Sequence, residues 1–311
     1  MLKYRKTVFP EGHQDIPLKK YVTIVCPSLS EVKLHLKPLL ILFIPTIAVS
    51  LYKYMDKIMI GALFNKAELG IYENAEKVIN IPLTVITSFG VVMLPKMSNL
   101  AISNNKNKTL RYIDISMEFI MYLAFGLAFG LAALGDTFAP VFWGEEFSRS
   151  GGIIMGLAST IPFIAFANII RTQYLIPNFR DHEFIISIII GAVINLIVNG
   201  LLIPQLGAIG AMVGTIVAEV TVCLIQSITV KNQLNIFSYF KWCLIYLMMG
   251  GVTFLPVFWI GKILGNHVFT ILIQVIIGAV VYIDMGILFF VFTRNRIVLN
   301  LLRNLFGRMK L

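Results

Sequence analysis

Eight stretches of about twenty predominantly apolar residues, separated by short connections, constrain this chain more than any other feature. They run over approximately 38–63, 75–100, 113–135, 150–176, 184–203, 206–230, 242–264 and 269–293. A helix crosses a ~30 Å hydrocarbon layer in about 20 residues. In lipid, every backbone polar group must be satisfied within its own segment, so such stretches become spanning helices. Of the 311 residues, 58% are hydrophobic and only 14% charged. Soluble domains carry about 25% charge. The composition excludes a disordered chain, a secreted disulfide scaffold and a nucleic-acid-binding domain. The expected fold class is all-α: a polytopic bundle of about eight transmembrane helices.

The net charge of +10 records orientation rather than a polyanionic partner. With the start placed inside, twenty of the 26 Lys+Arg fall on the inner face. Lys66, Arg149 and Lys262 alone fall outside, and Lys53, Lys57 and Lys77 lie within spans. This asymmetry predicts a cytoplasmic-membrane protein with both termini inside. The expected organisation is a polar cytoplasmic tail at 1–37, a six-helix lobe at 38–230, two additional helices at 231–293 and a basic tail at 294–311. No cleavable signal peptide is expected, because no compact apolar run follows a basic start in the first 36 residues.

No catalytic constellation is recognisable. His13, His35, His182 and His267 are expected in tails or loops, no phosphate-binding G-x-x-x-x-G-K-[ST] loop occurs, and Cys26, Cys223 and Cys243 form no metal-binding pair. Neither a cofactor nor a metal is expected, and no enzyme activity is expected from these residues.

Charge inside the first span is the main functional signal. Lys53, Asp56 and Lys57 share a helix face at i, i+3 and i+4. Each costs about 2.5–3.5 kcal/mol at membrane depth on insertion scales, which implies a polar interior or cavity. Pro45 predicts a kink two turns earlier. Lys77 enters the second span, and a shared turn near Leu69 would bring it to the depth of the first three charges. Three cations and one anion suit a phosphate-sized anion. Two alternatives stand beside this: the first span ends near residue 52 and its charges reach outward, and Lys77 pairs with Glu73 one turn away.

Weaker candidates for a cavity or for ion coupling follow. Glu118 forms an acidic i,i+4 pair with Asp114 at the inner end of the third span, where solvation is the commoner fate. Glu219 lies near the middle of the sixth span, as Asp284 does in the last. Asn195 and Asn199 share a face of the fifth, able to contact a sugar or to bond between helices. Gly126-x-x-x-Gly130 and the small face Gly207, Gly210, Ala211 and Gly214 predict close helix packing. Trp143, Trp242 and Trp259 are expected at the interfaces.

Three segments carry a family resemblance: YMDKIMIG at 54–61, ELGIYENAEKV at 68–78 and VVMLPKMS at 91–98. They resemble the seventh and eighth helices of Wzx-type polysaccharide repeat-unit flippases, in the multidrug/oligosaccharidyl-lipid/polysaccharide exporter superfamily. Residues 182–219, with LLIPQLGAIGA at 201–211, resemble the polysaccharide-synthesis C-terminal region. The resemblance implies the second lobe of an alternating-access exporter. Its cargo would be an undecaprenyl-diphosphate-linked oligosaccharide, moved for capsular, exopolysaccharide or O-antigen-like synthesis. It assigns the cationic site to Lys53, Asp56, Lys57 and Lys77. It implies membrane lipid, glycosyltransferases and a polymerase as neighbours, and a missing N-terminal lobe or a second copy as partner. Export of the peptidoglycan lipid precursor, and an inactive half-transporter or scaffold, are the competing expectations.

Overall fold

The computed structural model describes Ser50 and residues 54–103 and 105–292. The expectations for Lys53, for the Pro45 kink, for most of the first span and for both tails lie outside the described residues. All secondary structure among the described residues is helical. Residues 54–63 form α1, followed by α2 (Lys66–Ile102), α3 (Lys106–Trp143), α4 (Arg149–Ala158), α5 (Thr160–Ile169), α6 (Asp181–Leu206), α7 (Ala208–Val230), α8 (Ile236–Leu264) and α9 (Val268–Phe292). Seven helical stretches among the described residues are long and apolar enough to cross a membrane.

The helices run past the apolar stretches that foretell them, because polar ends are helical too. Asn65 caps α2 by accepting the Glu68 amide at 2.8 Å, and Asn105 caps α3 by accepting that of Lys108 at 3.3 Å. As a result the α1–α2 turn falls at Phe64–Asn65, about one turn before Leu69. His182, expected in a loop, is the second residue of α6.

The fourth span is not one helix. α4 ends at Ala158, α5 at Ile169, and the chain then passes through a π-helical turn (Ile170–Leu175) and a 3-10 turn (Ile176–Asn178). Ser159 and Thr160 donate their hydroxyls back to the Gly156 and Leu157 carbonyls at 2.7 Å each. Pro162 has no amide hydrogen to give. Together these interrupt the helical ladder where the sequence shows only apolarity.

Small residues set the helix contacts. A Cβ on Gly210 would meet the α6 backbone at Leu202, and one on Gly214 would meet the Asn199 side-chain oxygen, so α6 and α7 pack backbone to side chain. On α3, Gly126 receives the ring of Tyr282, whereas Gly130 faces open space. Only the first glycine of the expected pair therefore makes a close approach. Trp259 is 61% exposed, as an interface anchor would be, but Trp242 turns inward and packs edge-on against Phe289 at 5.7 Å.

Candidate functional site

Asp56 is the centre of a buried polar cluster that joins four helices. Its Oδ2 accepts hydrogen bonds from the Tyr72 hydroxyl on α2 and the Thr215 hydroxyl on α7, each at 2.8 Å. Its Oδ1 accepts from the Asn199 amide on α6, which also donates to the Asn195 oxygen at 3.1 Å. Tyr72, Asn195 and Asn199 are at most 1% exposed, and Asp56 is 7% exposed. Hydrogen bonds to charged groups contribute roughly 1.5–3 kcal/mol each, enough in sum to hold a carboxylate at membrane depth. The Asn199 oxygen itself has no hydrogen-bond partner. The cluster therefore presents oxygens from Asp56, Asn195, Asn199, Thr215 and Tyr72 in one small volume, a hard-donor set of the kind that suits a small cation.

Of the four charges expected to form one site, the three described ones take different places. Asp56 faces hydroxyls and amides rather than lysines. Lys57, next to it, pairs with Glu76 on α2 at 2.6 Å, each side chain about one-quarter exposed. Lys77 lies beyond them, well exposed, 3.6 Å from Glu73 on its own helix. Lys53 is outside the described residues. Turn and rotation together explain this placement. With the turn at Phe64–Asn65, the residues of α2 level with Asp56 and Lys57 lie near 72–76, and Lys77, one residue past Glu76, is rotated by about 100° away from it.

Tyr72, Thr215 and Glu76 were not among the residues singled out from the sequence. Tyr72 and Glu76 are one turn apart on the same α2 face, inside the ELGIYENAEKV segment, so their spacing was a readable signal. Thr215 carried none: its partner lies 159 residues away in the chain.

A fourth unanticipated residue is Glu68, only 4% exposed. It accepts the Ala208 amide at the start of α7 at 3.0 Å and pairs with Arg149 at the start of α4. One carboxylate thus ties the turn before α2, the α6–α7 turn and the entry to α4. The Asn65-x-x-Glu68 spacing resembles a capping box, yet the glutamate reaches across to another helix.

The remaining candidates stand apart. Asp114 is exposed and accepts from Tyr239 on α8 at 2.5 Å, while Glu118 is half-buried one turn later. Both line a cavity of about 210 Å³ with Asn235, Ser238, Tyr239 and Trp242. Glu219 is half-buried on α7, and Asp284 is exposed on α9. Arg171, in the π-turn, is half-buried over the Phe184 ring at 5.2 Å and donates to Asn168 at 3.4 Å. No group of three or more His, Cys, Asp or Glu side chains able to hold a metal occurs among the described residues.

Comparisons with known proteins agree with this architecture. A family model described as "Polysaccharide biosynthesis protein" matches residues 27–151. The "Putative O-antigen transporter" of Shigella dysenteriae is 24% identical over 214 residues, 68% of this chain and 52% of that protein. The "Probable low-salt glycan biosynthesis flippase" of Haloferax volcanii is 24% identical over 242 residues, 76% of this chain and 50% of that protein. The Lipid II flippase of Bacillus subtilis is 25% identical over 209 residues, 62% of this chain and 37% of that protein. A solved structure, "Lipid II flippase MurJ, inward closed conformation", superposes with a TM-score of 0.72 at 18% identity, over 87% of this chain and 56% of that chain. That likeness concerns the fold alone. The chain spans about half the length of the first two of these relatives. It is a multi-pass membrane protein similar to polysaccharide-biosynthesis and glycan-flippase proteins, and its helices take the fold of the solved Lipid II flippase.

Proposed function

We propose that this chain takes part in flipping a lipid-linked oligosaccharide, an undecaprenyl-diphosphate repeat unit, from the inner to the outer leaflet by alternating access. The single observation that carries the reading is the buried Asp56 cluster with the half-buried Lys57–Glu76 pair beside it on α1 and α2, in a helix arrangement like that of the solved flippase. Lys57 is the primary contact for the anionic headgroup, with Lys53 and Lys77 as further cations and Asp56 as the residue that positions α1. The cargo serves capsular, exopolysaccharide or O-antigen-like synthesis. The protein sits in a bacterial cytoplasmic membrane with both termini inside, next to glycosyltransferases and a polymerase. An N-terminal lobe, or a second copy, completes the cavity, because rocking of two lobes drives alternating access.

Coupling to an ion gradient falls on Asn195 and Asn199, through the oxygen-rich cluster around Asp56. A cation there would replace the hydroxyl and amide donors as the partner of the carboxylate. Glu118 and Glu219 are the second-rank coupling candidates.

Complementation tests the reading. The 311 residues are expressed in a strain lacking its own repeat-unit flippase, alone and with a first lobe from a related flippase, and surface polysaccharide is measured. Restoration in either arm supports it, and loss of that restoration with Lys53→Ala/Lys57→Ala supports the site. Insertion without restoration in both arms favours a scaffold role. The fold shared with the Lipid II flippase favours one second reading, export of the peptidoglycan lipid precursor. Rescue of a strain depleted of that exporter, without rescue of polysaccharide export, would select it.

A further inference from the structure

Each described candidate lysine already has a carboxylate beside it, and the two pairs differ. Lys77–Glu73 is a solvent-exposed i,i+4 pair at 3.6 Å, of a kind that holds little. Lys57–Glu76 is tight, 2.6 Å, and three-quarters buried on both sides. The Lys57 ammonium also lies 5.3 Å from the centre of the Tyr54 ring, which leaves its remaining donors partly covered. A phosphate oxygen and a carboxylate oxygen ask for the same N–H donors in the same geometry. An anionic headgroup arriving at Lys57 therefore competes with Glu76 for the same ammonium.

We propose that Glu76 is a built-in competitor for the anionic headgroup. It holds Lys57 when the site is empty, yields to a diphosphate, and returns to expel it. The proposal rests on the reading that Lys57 contacts the cargo. Two consequences make it useful to a transporter. With Glu76 in place Lys57 carries no uncompensated charge through the return stroke. Binding of the headgroup is also held down, which keeps release from becoming the slow step.

The arrangement permits this exchange without unpacking the helices. Asp56 and Lys57 are neighbours on α1, and Tyr72 and Glu76 are one turn apart on α2. Two polar links thus join the same two helices. Breaking the Lys57–Glu76 link leaves the buried Asp56–Tyr72 link in place.

The test uses the full chain in lipid nanodiscs, with inorganic pyrophosphate as one probe and undecaprenyl diphosphate as the other. Glu76→Gln keeps size and hydrogen bonding but removes the competing charge. It is expected to bind both probes about tenfold tighter than the unaltered chain. Lys57→Ala is expected to lose binding in either background. The charge swap Lys57→Glu/Glu76→Lys preserves the pair and is expected to keep the melting temperature of the unaltered chain. A purely structural pair predicts weaker or unchanged binding in Glu76→Gln with a lowered melting temperature, and that result overturns the competitor role while leaving Lys57 as a contact. If Lys57→Ala binds both probes as well as the unaltered chain, the headgroup is not read at Lys57, and both the competitor role and the site assignment fall. Tightening for undecaprenyl diphosphate alone would place recognition on the lipid as well as the phosphates; no tightening for either probe overturns the proposal.

Discussion

Tyr122 and Tyr282 hold each other's helix backbones. The Tyr122 hydroxyl donates to the Tyr282 carbonyl at 3.1 Å, and the Tyr282 hydroxyl donates to the Tyr122 carbonyl at 2.7 Å. Their rings stack with centroids 4.8 Å apart. Each ring lies over a glycine four residues beyond the other tyrosine: Tyr282 over Gly126, Tyr122 over Gly286. The repeated unit is Tyr-x-x-x-Gly, used once on α3 and once on α9. It gives α9 a directional attachment in a solvent where the apolar surface of lipid competes equally with that of protein.

This clasp separates the two glycines of the α3 motif. Gly126→Ala places a methyl 2.5 Å from a ring atom of Tyr282, and the stacked ring has nowhere to go. A cost of about 1–3 kcal/mol is expected, as for other overpacked contacts. Gly130→Ala meets open space and gains helix propensity, so it is expected to be neutral or slightly stabilising. Thermal unfolding in one detergent compares them. Equal loss from both variants would mean that the two glycines share one interface.

Removing one hydroxyl of the clasp tests its reciprocity. Tyr282→Phe deletes one hydrogen bond and keeps the stack, and a loss of about 0.5–1.5 kcal/mol is expected. Tyr122→Phe should cost a similar amount, and the double variant less than about twice as much if the two bonds support each other. The readout is the unfolding midpoint across this double-mutant cycle. Full additivity would show two independent bonds.

Asp56 is expected to tolerate Asn better than Ala. Asp56→Ala strands the buried Tyr72 and Asn199 donors, each at a desolvation cost of about 1–3 kcal/mol. Asp56→Asn keeps an oxygen for one of them. A melting-temperature series in sodium, potassium and choline buffers adds the coupling test. A cation-specific rise in the unaltered chain that vanishes in Asp56→Asn is expected, and no cation dependence in either would remove this cluster from ion coupling.

Glu68 should govern the start of α7. Glu68→Gln retains a partner for the Ala208 amide but loses the ion pair with Arg149, whereas Glu68→Ala loses both. Hydrogen exchange across residues 206–212 is expected to rise strongly for Ala and weakly for Gln. Gly207→Ala should do the same by another route, because its φ of +58° disfavours a side chain and its new methyl would lie 2.7 Å from the Glu68 carboxylate. Unchanged exchange in Glu68→Ala would show that the α6–α7 turn holds itself.

What the sequence determined by itself is the class of the fold and the approximate position of its spans. A stretch of twenty apolar residues has one stable form in lipid, so α6, α7 and α9 lie within about three residues of where hydropathy puts them, while α2 and α8 start earlier and α3 runs further at both ends. The i,i+4 spacing of Asn195 and Asn199 was likewise enough to place them on one face. Tertiary structure decided the rest. Which polar group meets which depended on the turn residue, which sets depth, and on helix rotation: Tyr72 and Glu76 face Asp56 and Lys57, whereas Lys77, one residue on, lies beside Glu73. The break in the fourth span depended on two hydroxyls and a proline inside an otherwise uniform apolar run. Thr215 could reach Asp56 only once α7 packed closely on α6 through Gly210 and Gly214. Hydropathy is a sum over a segment and survives small errors in position; a hydrogen bond between helices does not, because one residue of rotation turns a side chain by about 100°.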